Sequence, residues 1–358
     1  MQSVYSERLL KTIARIAPGT ELREGLERIL RGRTGALIVL GNDKTVSQIS
    51  SGGFAIHTEF SATRIRELAK MDGAIICDRE ATQLIHAGVQ LLPDPSIPTQ
   101  ESGTRHRTAE RVAVQTGFPV ISVSASMSLI SVYVDGIRYT VEDSQVLMSR
   151  ANQAIQTLES YTKRLEQVLQ SLSSFEIESS VTVRDVAATL QRMEMVRRIC
   201  TEVGFYVLEL GVSGRLIALQ LEELTRPDTP DARVILRDYL PAEGTPDTDQ
   251  VEQALTRLYS LDDRELVDFS MIADAIGLDG QNLDVSLYPR GYRLLSGIKS
   301  MPGAVASRIV EQFDGLQGLM SASLDDLRAV DGIGEQRARV IRESLSRMAE
   351  ASLLEQFR

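Results

Sequence analysis

Two cysteines, Cys77 and Cys200, stand 123 positions apart and form neither a disulfide framework nor the close pairing of a zinc site. That usage fits a reducing cytoplasm. The three histidines, His57, His86 and His106, are equally scattered, which argues against a zinc centre. No apolar run approaches the roughly 18 to 20 residues that cross a bilayer, so no membrane span is expected. The start, Met1-Gln2-Ser3-Val4-Tyr5-Ser6-Glu7-Arg8, has no basic stretch followed by an apolar core and so does not read as a secretory signal. A Gly-x-x-x-x-Gly-Lys-Ser/Thr loop is missing, which excludes a P-loop ATPase. Gly332-Ile333-Gly334 begins like a dinucleotide fingerprint, but Arg337 stands where the third glycine belongs and no strand precedes it. Positive charge is also short. A net charge of −10 argues against a protein that coats nucleic acid, so any DNA contact has to come from a local basic surface and be salt-sensitive.

What is present is a globular composition, 43% hydrophobic and 25% charged, in 358 residues, enough for two or three domains. Residues 1–142 alternate helix and strand. Glu21 to Arg31 has the apolar face of a helix, and Ser61 to Lys70 and Thr104 to Gly117 read the same way. Gly35 to Gly41 and Gly73 to Cys77 are short, continuously apolar runs of the kind buried on both faces of a sheet. Thr82 to Leu92, Val120 to Val123, Leu129 to Val134 and Arg138 to Val141 supply further strands, the last two joined by Asp135-Gly136, a strong hairpin signal. The expectation is an N-terminal α/β domain with a mixed sheet. Residues 143–287 change to long helical patterns, Asp143 to Leu172 and Val181 to Val203, broken by loops at 226–231 and 241–249. They hold no evident chemical constellation and read as an all-α linker or spine. Residues 288–358 return to short helices with glycine hairpins.

Two clusters in the first domain carry chemical potential. Asp72-Gly73-Ala74 sits at the entry of a buried strand, where a carboxylate beside a glycine suits a divalent metal, or is simply a turn. Glu101-Ser102-Gly103-Thr104-Arg105-His106-Arg107-Thr108 opens a helix with cations in its first turn, where the helix dipole favours anions. An anionic ligand resolves that conflict, because free amides, guanidinium groups and threonine hydroxyls together cradle a polyphosphate. The rival reading is a solvated face neutralised by Glu101 and Glu110. Downstream, Ser122 to Ser126 offers further hydroxyls, or an ordinary loop.

In the tail, Leu327 to Ile341 reads as helix, glycine hairpin, helix. The hairpin Gly332-Ile333-Gly334, with Arg337 and Arg339 beyond it, suits phosphate contacts that do not read sequence. Leu294 to Val310 looks like a degenerate first copy. Asp325, Asp326, Asp331 and Glu335 keep a packing or dimerisation unit open as the alternative.

Asp72-Gly73-Ala74 and Arg105-His106-Arg107, about 30 residues apart and followed by the C-terminal hairpins, make the chain resemble the DisA family, the bacterial DNA-integrity scanning diadenylate cyclases. The resemblance covers essentially the whole length. It implies three domains: a cyclase at 1–142, a helical linker at 143–287 and a tandem helix-hairpin-helix module at 288–358. It also implies that two ATP molecules become cyclic di-AMP and two pyrophosphates across facing sites of a homo-oligomer, an octamer. Asp72 would hold Mg²⁺ or Mn²⁺ and help activate the attacking hydroxyl; Gly73 and Leu91 would line the adenosine pocket. Thr104, Arg105, His106, Arg107 and Thr108 would hold ribose and phosphates, and Ser124 would reach the terminal phosphates. Branched DNA such as a four-way junction would bind the C-terminal module and lower activity. Competing readings are a nucleotide-binding DNA-repair scaffold without turnover, and a nucleotidyl transferase acting on a DNA end.

Overall fold

The computed structural model describes residues 6–225, 231–242, 244–299 and 301–355. Most of the loop expected at 226–231, one residue of that at 241–249, the first five residues and Ser300 of the degenerate hairpin lie outside the described residues. The chain divides into two compact units. One holds the described residues through Gln153 with Val203–Gln220, the other Ala154–Glu202 with Leu221 onward.

The first unit is built on an eight-stranded mixed sheet. Its elements are α1 (Glu7–Arg15), α2 (Glu21–Arg31), β1 (Ala36–Leu40), α3 (Lys44–Gln48), β2 (Ser50–Ser51), β3 (Phe54–Glu59), α4 (Ala62–Leu68), β4 (Ala74–Cys77), β5 (Gln83–Leu91), α5 (Thr104–Thr116), β6 (Val120–Ser124), β7 (Leu129–Val134) and β8 (Ile137–Val141). The strand order is β2-β5-β4-β1-β6-β7-β8, with β3 also pairing β5. Only β1 and β4 run parallel; every other pair is antiparallel. Both are apolar and buried throughout because helices cover both faces of the sheet. On one face Leu9, Ile13, Leu22, Leu26, Ile29 and Ile65 pack against the inward residues of β1, β4, β6 and β7. On the other, Val46 of α3 and Ala109, Val112 and Ala113 of α5 cover Leu37, Val39, Ala74 and Val120. Asp135 (φ 52°) and Gly136 (φ 75°) both adopt the left-handed conformation that a tight hairpin demands.

Register brings one end of the sheet together. Ala36 lies opposite Val123, Ile38 opposite Ile75, and Ala74 opposite Val89. The starts of β1 and β4 and the ends of β5 and β6 are therefore neighbours.

The remaining elements are helical: α6 (Ser144–Glu178), α7 (Val183–Leu210), α8 (Arg215–Leu224), α9 (Ala232–Tyr239), α10 (Thr248–Ser260), α11 (Phe269–Ala275), α12 (Tyr292–Ser296), α13 (Gly303–Gln312), α14 (Gly315–Ser321), α15 (Leu324–Ala329) and α16 (Glu335–Glu355), with short 3-10 turns between them. Both long helices run past the ends that sequence periodicity suggests. Within the second unit, one apolar cluster joins α7, α9, α10 and α11 through residues such as Leu190, Ile235, Leu255 and Ile272. Another packs the last five helices through Leu295, Ile309, Leu319, Leu327 and Ile341. Mixed α/β domain, helical linker and C-terminal helical hairpins are thus the observed architecture. None of the helices is long and apolar enough to cross a membrane, among the described residues.

Candidate active site

Asp72 and Gly73 lie where β4 begins. Gly73 has φ 107°, and a Cβ there would stand 2.6 Å from the carbonyl carbon of Gly88 and 2.9 Å from the amide nitrogen of Val89. Only glycine lets the two backbones meet this closely in that conformation. The approach fixes the turn that presents Asp72, whose carboxylate is exposed and has no hydrogen-bond or ion-pair partner among the described residues.

The start of α5 reaches the same end of the sheet. Its N-cap, Gly103, supplies no side-chain hydrogen bond, and its first turn contains no acidic residue. Free amides at a helix start attract negative charge, as do the cations placed there. Arg105 bridges helix and sheet: Nη1 lies 3.4 Å from the carbonyl oxygen of Val123, and the guanidinium fills the space over Gly35. A Cβ on Gly35 would stand 1.9 Å from that Nη1, so the guanidinium keeps this place only while residue 35 is glycine. Thr104 and Arg107 are exposed and Thr108 is half-buried. Ser124 is buried at the end of β6, with Oγ 3.4 Å from Ser126 Oγ and from the amide of Met127. Leu91 is buried in the apolar cluster under α5, beside Ala74 and Ala109. The fold thus brings Asp72, Gly73, Leu91, the first turn of α5 and Ser124 to one end of one sheet.

The acidic neighbours are engaged elsewhere. Glu101 accepts two hydrogen bonds from Arg138, at 3.0 and 3.1 Å, and Glu110 accepts one from the Thr99 hydroxyl. Among the described residues neither Arg105 nor Arg107 has a carboxylate partner, so no acidic side chain neutralises the cations at this helix start.

His106 behaves differently from its flanking arginines. It shares the inward face of α5 with Ala109, Val112 and Ala113 and is buried. Its Nδ1 lies 2.8 Å from the Tyr133 hydroxyl, which in turn donates to Glu101 Oε1 at 3.1 Å. Burial lowers the His106 pKa; the negative Glu101 pulls it back up, and Arg138 and Arg105 push it down. Burial and the Glu101 charge raise that of Tyr133 well above its ordinary value. On the same side of the sheet, Ser122 lies opposite Ser131, and both hydroxyls are buried without a partner in the structure.

Sequence reasoning missed Gly35, Tyr133, Arg138 and Ser131. Tyr133 had one signal, a polar-tipped aromatic within a strand that is apolar apart from Ser131. The others become meaningful only through β1, β7 and β8 register.

No group of three or more His, Cys, Asp or Glu side chains converges to hold a metal among the described residues. The exposed, unpartnered Asp72 suits the habit of Mg²⁺, which takes one or two carboxylates and draws its other oxygens from phosphates and water.

In the second unit, Gly332 (φ 84°), Ile333 and Gly334 form the turn before α16. Ile333 is buried in the helical core, so its side chain packs while the hairpin backbone faces out. Arg337 Nη1 donates to the Gly332 carbonyl at 2.7 Å and braces the turn. Arg339 is exposed and pairs with Glu335 one helical turn away, at 2.5 Å. Arg308 of α13 reaches Asp331 at 3.2 Å, which ties the degenerate hairpin to the second one.

Residues 23–138 match the family described as DisA bacterial checkpoint controller nucleotide-binding, and residues 141–284 match its linker region. Residues 315–344 match the helix-hairpin-helix motif. The DNA integrity scanning protein DisA of Kineococcus radiotolerans is 56% identical over 356 residues, covering 98% of both chains. That of Acidothermus cellulolyticus is 57% identical over 98% of this chain and 96% of its own, and that of Streptomyces coelicolor 54% over 97% and 93%.

Proposed function

Since the chain belongs to the DisA family, with its nucleotide-binding domain, its linker and a helix-hairpin-helix motif, we propose that it condenses two ATP into cyclic di-AMP and two pyrophosphates. The observation that carries this reading is the meeting of an unpartnered carboxylate, Asp72, with an uncapped, arginine-bearing helix start at one end of the sheet. A polyphosphate with its divalent ion satisfies both halves of that arrangement.

In the proposed reaction each protomer holds one ATP and two sites face each other across a two-fold axis, which suits a product made of two identical halves. The 3′-hydroxyl of one ATP attacks the α-phosphorus of the other. A new O–P bond forms, the bond to pyrophosphate breaks, and a second such step closes the ring. Such chemistry needs positioning and charge neutralisation more than covalent help. A divalent ion, Mg²⁺ or Mn²⁺, would be held by Asp72 and would neutralise developing phosphate charge when bound. Arg105, braced over Gly35, and Arg107 hold phosphate oxygens with the first-turn amides; Thr104, Thr108 and Ser124 add hydroxyls. Gly73 and Leu91 line the adenosine side. Gly332 and Gly334 offer hairpin amides, Ile333, whose own N–H is held by the Val330 carbonyl, anchors the turn, and Arg337 and Arg339 lend their charges to phosphates of branched DNA. The assembly we infer is a homo-octamer working in the cytoplasm, its activity lowered by junction DNA.

Replacing Asp72 by Asn tests the site. Asp72→Asn should abolish cyclic di-AMP while the protein still folds, because only an exposed carboxylate changes. Near-normal turnover by the folded variant would remove Asp72 from the mechanism.

A further inference from the structure

The contacts of His106 fix which of its ring nitrogens carries the proton. Tyr133 has one hydroxyl hydrogen and two polar neighbours, Glu101 Oε1 at 3.1 Å and His106 Nδ1 at 2.8 Å. Glu101 also takes both hydrogen bonds from Arg138, which holds it as an acceptor. One assignment satisfies every contact: the tyrosine donates to Glu101, and Nδ1–H donates to the tyrosine oxygen. The opposite assignment leaves the tyrosine oxygen facing a carboxylate oxygen with no hydrogen between them. A neutral imidazole protonated at Nδ1 presents a bare lone pair at Nε2.

The Nε2 edge has a definite direction. Cδ2, bonded to Nε2, is the side-chain atom that a Cβ on Gly103 would meet, at 3.6 Å. That edge therefore faces the residue where α5 begins, at the same end of the sheet as Asp72, and Nε2 has no hydrogen-bond partner among the described residues. A lone pair cannot donate to a phosphate oxygen; its partner has to be a donor, and the ribose hydroxyls of the proposed substrate are donors.

We propose that His106 Nε2 accepts the proton of the attacking ribose 3′-hydroxyl, and that Glu101, Tyr133 and Arg138 are positioning residues that hold it in the accepting tautomer. The inference rests on the cyclase reading above. In the step, the O3′–H bond breaks, its proton passes to Nε2, the oxygen forms the bond to the α-phosphorus, and pyrophosphate departs with the electrons of the broken P–O bond. The two arginines beside His106 take the phosphates, and His106 takes the hydroxyl. The groups facing the imidazole are Tyr133 from β7, Glu101 from the preceding loop, Arg138 from β8 and Arg105 from its own helix. Burial keeps the ring neutral near pH 7, as a proton acceptor requires.

The test uses the full chain in two arms. With only three histidines, ¹⁵N-histidine labelling and solid-state NMR of sedimented protein resolve the His106 tautomer once His57→Gln and His86→Gln spectra identify the other two signals. The Nδ1–H form is expected in the parent chain, and loss of that preference in Tyr133→Phe. In the kinetic arm, His106→Gln should lower kcat about 10²-fold with the KM for ATP little changed. Glu101→Gln should lower kcat and shift the acid limb of the kcat profile to lower pH, because the carboxylate that steadies the imidazolium is gone. A role in folding alone would not move that limb. An Nε2–H tautomer in the parent chain, or a Glu101→Gln profile that superposes on the parent's, overturns the proposal. A parent chain that makes no cyclic di-AMP overturns the cyclase reading and the proton step with it, while the NMR arm still decides the relay.

Discussion

Glu176 near the end of α6 and Arg293 in α12, 117 positions apart, form an ion pair that is almost wholly buried. Arg293 Nε lies 3.0 Å from Glu176 Oε1, which also accepts from the Tyr239 hydroxyl at 2.6 Å, and Arg293 reaches Ser173 Oγ at 2.9 Å. Beside it, Asp238 accepts three backbone N–H bonds at 2.7 Å from Gly291, Tyr292 and Arg293, which closes the start of α12. The network fastens the first helix of the C-terminal hairpins to linker helices α6 and α9.

Glu176→Ala should therefore be severe. It strands a buried guanidinium, and breaking one side of such a pair costs about 3–5 kcal/mol, whereas replacing both partners by apolar residues costs far less. Urea unfolding of Glu176→Ala and of the double variant Glu176→Met/Arg293→Met measures both. Equal losses would mean the pair is not the fastening.

Gly35→Ala acts at a distance from the fold. Its Cβ collides with the far end of the flexible Arg105 side chain, which can swing away, so stability should change little. The displaced guanidinium loses its place at the start of α5. A charge-assisted hydrogen bond is worth about 1.5–3 kcal/mol, so ATP affinity should fall roughly 10- to 100-fold by titration calorimetry.

For DNA, Arg339→Ala should weaken junction binding and reduce the slope of log affinity against log salt by about one. Glu335→Gln should do the reverse in affinity, because it frees Arg339 from its i,i+4 partner and removes a negative charge near the hairpin. Binding isotherms at several salt concentrations separate the two.

Acid should weaken the sheet unit at His106. Burial holds this imidazole below its usual value of about 6.5, so the unfolded chain takes up a proton there before the folded one does. Its contribution is intact above about pH 6.5 and is lost as pH falls through the lowered folded value. The Tm gap between the parent chain and His106→Gln should narrow from pH 7.5 to 5.5, and a gap that stays constant would contradict it.

Much of this was legible in advance, and the exceptions have physical reasons. β1 and β4 announced themselves as unbroken apolar runs because both of their faces are buried. The cations in the first turn of α5 broke the helix-dipole rule, and the structure leaves them without carboxylates. The edge strand β3 went unread: Phe54 is 64% exposed, and a bulge that puts His57 at φ 45° interrupts its alternation. Helix α1 is only nine residues long, too short for its periodicity to stand out, yet its Leu9 and Ile13 are core residues. The linker read as structure without polar chemistry, yet Glu176, Asp238, Tyr239 and Arg293 form a buried polar network. No periodicity joins residues so far apart; only packing does.

The most direct test is to incubate the purified full chain with ATP and Mg²⁺, then with Mn²⁺, and to identify the products by chromatography and mass. The account predicts cyclic di-AMP and pyrophosphate in a one-to-two ratio. Unchanged ATP with both metals, from a folded oligomeric sample, would contradict it.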